Sequence, residues 1–115
     1  MTEDVDMQPE AKDTDWIKIT STDGFEYMIK RKIANTSGTI RSMLDTEMNY
    51  AEAVSRVCPL VQRGIIVEKA LEYMAFRAHY ESLGPKEDIP VNEFLERLPP
   101  EIVLEVLLAA DYLEL

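Results

Sequence analysis

One histidine, His79, and one cysteine, Cys58, are the only imidazole and thiol in this 115-residue chain. A thiol or hydrolytic enzyme would need the pair in contact, with the thiol's pKa lowered by a cation and the imidazole within hydrogen-bond reach. Arg56 is the one basic residue beside Cys58, and the thiol lies in an apolar stretch, residues 57–61. A buried, inert thiol is therefore the expectation, and His79, near the end of a helical pattern, is expected to be a solvated surface residue. Glu101 and Glu105 share a helix face, but two carboxylates without a histidine or a third acid make a poor metal site. No glycine-rich phosphate loop, HExxH helix or CxxC pair occurs. The one basic cluster, Lys30-Arg31-Lys32, is short and reads as a solvated strand end. With 12 basic residues against 22 acidic, the net charge of -10 argues against direct nucleic-acid binding, which draws on clustered lysine and arginine. The chain is expected to be non-catalytic, without cofactor or metal.

With so little reactive chemistry, the informative feature is apolar surface. Residues 101–115 follow a helical pattern in which Glu101, Glu105, Asp111 and Glu114 occupy about half of the circumference and apolar side chains the rest. One apolar face can line a core; the other needs cover, which predicts a docking surface. Pro99-Pro100-Glu101 fixes the start of this helix, and no glycine or lysine follows to stop it, so it is expected to run uncapped to Leu115. The chain is long enough for one core and too short for two. Residues 1–15 hold six acids and Lys12, lack apolar periodicity, and are expected to form a disordered tail ahead of a domain spanning residues 16–115. The acidic start is not expected to act as a signal peptide, and no apolar run approaches the roughly 20 residues that span a bilayer, so no membrane partner is expected. A single cysteine fits a reducing compartment.

The elements that must present this surface begin with a hairpin. Trp16-Ile17-Lys18-Ile19-Thr20 and Phe25-Glu26-Tyr27-Met28-Ile29 have strand character, and Asp23-Gly24 between them supplies the positive φ of a tight two-residue turn. Thr36-Ser37-Gly38-Thr39 offers hydroxyl caps to a short helix carrying Ile40, Met43 and Leu44. Residues 45–55 read as a loop. Residues 57–61 read as a third strand, placed at an edge by Pro59. Helical spacing returns over residues 65–80 with two apolar stripes, and residues 89–98 connect this helix to the last one.

Three segments together resemble the Elongin-C family of BTB/POZ adaptors. They are the hairpin Ile17-Lys18-Ile19, Ser21-Thr22-Asp23-Gly24 and Ile29-Lys30-Arg31; the Thr36-Ser37-Gly38-Thr39-Ile40 segment; and the ending Pro100-Glu101-Ile102 to Leu107-Leu108-Ala109-Ala110-Asp111-Tyr112-Leu113. Residues 69–80, centred on Tyr73, match the preceding family helix. The F-box adaptor sibling shares the hairpin and the Ala-Ala-x-Tyr-Leu ending but continues into further helices, so an end at Leu115 favours the Elongin-C side. The resemblance implies an α+β BTB/POZ fold with a small, mainly antiparallel three-stranded sheet flanked by helices. It implies an adaptor of cullin-RING ubiquitin ligases that pairs with the ubiquitin-like Elongin-B and binds the BC-box helix of SOCS-box and related receptors. The same subunit would join a transcription elongation complex through Elongin-A, in nucleus and cytoplasm. Carried over by position, the pocket for the BC-box leucine would be built by Tyr73, Phe94, Val106, Ala110, Tyr112 and Leu115. An exposed strand edge invites augmentation, which assigns the Elongin-B-like contact to the hairpin at Ile17, Ile19, Tyr27 and Met28, and the family's cullin-facing loop would fall on Met48, Asn49 and Tyr50. Leu115 stands where the family often has cysteine. Ile102 and Leu107 read as plain core. A self-associating BTB scaffold or an F-box-adaptor-like protein is the alternative.

Overall fold

Strand β1 (Trp16–Thr20) lies at the centre of a three-stranded sheet, with β2 (Glu26–Lys30) antiparallel on one side and β3 (Val57–Pro59) parallel on the other. The computed structural model describes residues 15–45, 56–84 and 89–115. Alternation along β1 sends Ile17 and Ile19 fully into the core and leaves Trp16 on the outer face. Register runs from Trp16 opposite Lys30 to Thr20 opposite Glu26, and Ile19 faces Cys58 across the parallel pair. The sheet is thus mixed, with its longer ladder antiparallel, and Pro59 sits on an edge strand where its missing N–H is tolerated. The turn is wider than two residues: the Ser21 amide donates to the Phe25 carbonyl at 3.0 Å, and only Gly24 (φ +91°) takes the left-handed region.

Helix α1 (Arg31–Ala34) follows β2 directly, and α2 (Gly38–Met43) begins at Ser37, whose hydroxyl accepts the Ile40 amide at 3.1 Å. The short α1 corrects the reading of Lys30-Arg31-Lys32 as a solvated strand end. Arg31 is only 5% exposed, and its guanidinium and that of Arg56 lie 3.6 and 3.8 Å from the Asp15 carboxylate. The Asp15 carbonyl also accepts the Arg31 amide at 2.8 Å, so this residue belongs to the folded part and not to the tail. Residues 1–14 lie outside the described residues.

The long helix α3 (Gly64–Ser82) separates two apolar clusters, which explains its two apolar stripes. Val67, Ala70, Leu71 and Met74 pack with Ile17, Ile19, Ile40, Cys58 and Leu113. Ile66 joins Phe94, Leu98, Ile102, Val106 and Ala109, with Tyr73 and Phe76 packed against them. The second cluster is completed by α4 (Val91–Glu96) and α5 (Pro100–Tyr112). Sequence spacing reads residues 89–98 as a connection; six helical residues are too few to show a 3.6-residue period. Helix α5 ends at Tyr112, and Leu113 is buried in the first cluster, so one chain segment closes both.

Candidate functional site

Between α3, α4 and α5 lies an apolar groove of about 200 Å³. Ala70 and Tyr73 come from α3, Val91, Phe94 and Leu95 from α4, and Val106, Leu107 and Ala110 from α5, with Leu115 closing one end. None of these side chains is charged, and the Tyr73 hydroxyl is the one polar side-chain group among them. The Tyr73 and Phe94 rings meet edge to face, with centroids 5.3 Å apart, and Phe76 adds a third ring 5.4 Å from Phe94. Such pairs hold aromatic walls in fixed orientation. Ala70 and Ala110 leave the space; a larger side chain at either position would fill it.

Five of the six residues carried over from the family resemblance are brought together here: Tyr73, Phe94, Val106, Ala110 and Leu115. Tyr112 does not line the groove. It is 51% exposed and follows Leu104 (69%) and Leu108 (64%) at i, i+4 and i+8 on the outward side of α5. The reading of Leu107 as plain core is also corrected: it is 45% exposed and lines the groove, while Ile102 is buried as expected. Sequence reasoning missed Ala70, Val91, Leu95 and Leu107. Ala70 shares a stripe with Tyr73, which was a usable signal; Val91 and Leu95 belong to α4, whose helicity the pattern does not reveal.

The hairpin residues fare differently. Ile17 and Ile19 are fully buried in a strand paired on both edges, so neither is available to a partner protein. Tyr27 points inward, its hydroxyl donating to the Gly64 carbonyl at 3.0 Å. Of the four, Met28 alone is exposed, at 52%, on the edge strand β2. Met48, Asn49 and Tyr50 lie outside the described residues. Cys58 is buried and His79 is exposed, its ring edge-on to Tyr80 at 5.3 Å. Among the described residues no group of three or more His, Cys, Asp or Glu side chains could hold a metal ion.

Charges frame the groove from outside. Arg63, at the start of α3, makes a bidentate pair with Glu105 of α5, with Nε and Nη2 donating at 3.0 and 2.9 Å. That contact holds the Glu105 carboxyl below its ordinary range and raises the Arg63 guanidinium. The fork geometry fixes α5 against α3 in angle as well as distance. At the far side Arg97 pairs with Glu93 at 2.9 Å and lies over the Phe76 ring, 5.9 Å from its centroid.

A three-stranded mixed sheet crossed by a long helix, with two further helices closing an apolar groove, defines a POZ-type domain. Residues 15–79 match the family described as the Skp1 family, tetramerisation domain. Elongin-C of Saccharomyces cerevisiae is 35% identical over 101 residues, covering 88% of this chain and 97% of that protein. Elongin-C of Dictyostelium discoideum is 29% identical over 104 residues, covering 88% and 89%. Coverage of 88% carries the likeness past residue 79 into the helices that form the groove. The chain belongs to the Elongin-C family.

Proposed function

We propose that this chain is a non-catalytic adaptor of a cullin-type ubiquitin ligase whose groove receives the leading leucine of a BC-box helix. The observation that carries this reading is the groove itself: a cleft between three helices, lined by uncharged side chains that include five of the residues the family resemblance selects. An amphipathic helix would lay its i, i+3 and i+4 anchors into it. Burying one leucine there contributes roughly 1.5–3 kcal/mol. The outward stripe Leu104, Leu108 and Tyr112 gives the same helix, or a cullin segment, a second apolar surface beside the groove. With Ile17 and Ile19 in the core, we assign the Elongin-B-like partner to the open edge of β2 and Met28. On the family resemblance we further propose a role in a transcription elongation complex, through an Elongin-A helix seated in the same groove, and a place in both nucleus and cytoplasm.

Calorimetry with a synthetic BC-box helix tests the assignment. Replacing the peptide's leading leucine by alanine should weaken binding roughly ten- to a hundredfold. Tyr73→Asp or Ala110→Asp in the protein should abolish it while circular dichroism retains the helical signal. Unchanged affinity in both variants would remove the groove from the function. No binding at all, with a concentration-dependent homodimer in sedimentation, would move the chain to the self-associating scaffolds.

A further inference from the structure

Helix α5 ends in a conformation that glycine usually supplies, and no glycine is there. Glu114 has φ +58°, the Glu114 amide donates to the Asp111 carbonyl at 3.1 Å, and the Leu115 amide donates to the Ala110 carbonyl at 2.9 Å. This is the paired-bond ending in which the residue after the left-handed position folds back against the helix. The turn-back sets Leu115 beside Ala110, and both line the groove. A side chain other than glycine or asparagine is disfavoured in the left-handed region, so the ending needs support from outside the helix.

That support comes from the N-cap and first two residues of α2, distant in sequence. The Ser37 hydroxyl donates to the Leu113 carbonyl at 2.6 Å, and the Thr39 hydroxyl to the Tyr112 carbonyl at 2.9 Å. The Thr39 amide donates to Leu113 and the Gly38 amide to Glu114, each at 3.3 Å. Together with the bonds made by Leu113, Glu114 and Leu115 amides, these account for every carbonyl from Ala109 to Glu114. Gly38 permits the approach: a Cβ there would overlap the Glu114 carboxylate and lie 3.1 Å from its Cβ. Ser37 is fully buried, so its hydroxyl has little alternative to this bond.

We infer that Ser37, Gly38 and Thr39 are positioning residues of the groove, holding the strained end of α5 so that Leu115 closes it. They touch no ligand; they act through Leu115. The effect on binding rests on the groove being the docking site, whereas the placement of Leu115 does not.

The full chain with labelled leucine, isoleucine and alanine methyls tests both levels. In the unmodified protein the Leu115 methyls should show contacts to the Ala110 methyl and shifts imposed by the groove's aromatic rings. Thr39→Val, which removes the hydroxyl at nearly constant volume, should move the Leu115 shifts toward random-coil values while those of Ile17 and Ile19 stay in place. Thr39→Ser should restore them, and so should Glu114→Gly in the Thr39→Val background, because glycine adopts the left-handed turn unaided. Affinity for the BC-box helix should fall about tenfold in Thr39→Val, matching the loss of one hydrogen bond, and not fall further in a Leu115→Ala background. Leu115 shifts unmoved by Thr39→Val, or no recovery with Glu114→Gly, would overturn the inference. Leu115 responding as stated in a protein that binds no BC-box helix would keep the inference and discard the adaptor reading.

Discussion

The Tyr27 hydroxyl reaches from β2 to the Gly64 carbonyl at the first residue of α3, a contact that ties the hairpin to the helix carrying one wall of the groove. A tyrosine on an edge strand reads from sequence as a partner contact because alternation alone cannot say which face is inward. The structure turns it to an internal use. Desolvation, followed by the Glu68 and Asp23 charges, pushes the Tyr27 phenol above its ordinary value of 10.0. A raised value in the folded state favours the neutral phenol there, so its contribution is complete below about pH 10 and is lost as pH rises through the folded value. Tyr27→Phe should lower stability by about 0.5–1.5 kcal/mol at neutral pH, in the range for one hydrogen bond. It should also flatten the alkaline end of the stability profile in urea titrations above pH 10. An unchanged midpoint at both pH values would show that the phenol does not brace the helix.

At the scale of elements, the start of α3 shows how a turn and a helix share one residue. Asp23 in the hairpin turn accepts the Gly64 amide at 2.7 Å and the Ser21 hydroxyl at 2.6 Å, so it caps a helix that begins forty-one positions later. The Ser21 hydroxyl, aided by the Gly64 amide, holds its carboxyl below the ordinary carboxylate range and outweighs the opposing effect of desolvation. A depressed folded-state value stabilises above the unfolded value near 3.9 and is lost as pH falls through the folded one. Asp23→Ala should therefore lower the thermal midpoint at pH 7 and bring it closer to the unmodified protein's as pH falls below 4, measured by circular dichroism. An equal deficit at pH 7 and pH 2.5 would mean that the turn, not the cap, was damaged. Asp23-Gly24 was legible as a turn, and the terminal helix and α3 were legible from their periodicity. The second use of Asp23 was not, because a cap supplied from a distant segment leaves no local pattern around Arg63 and Gly64. The same holds for α1 and α4, too short to show a period, and for the Ser37–Leu113 bond that ends α5.

At the scale of the whole molecule, α5 carries four exposed large apolar side chains, more than any other described element. Leu104, Leu107, Leu108 and Tyr112 are all at least 45% exposed on one helix. Hydrophobic spacing alone announces this surplus, since a helix with one core face does not need eleven apolar positions out of fifteen. Which of them formed the groove and which the outward stripe depended on where α4 lay, and that the sequence pattern did not show. An exposed apolar stripe of this kind favours association with whatever covers it. The isolated chain should consequently bind a hydrophobic dye and aggregate without forming a dimer of fixed stoichiometry, and Leu104→Gln with Leu108→Gln should reduce both without lowering helical content, since neither side chain is in the core. A partner that binds only the folded chain adds about 2.7 kcal/mol at a hundredfold excess over its dissociation constant. For a domain of this size that raises the thermal midpoint by roughly 10–20 °C. The glutamine pair should lose part of this gain if the partner helix spans the stripe as well as the groove. Retention of the full gain would confine the partner to the groove and leave the stripe to a different protein.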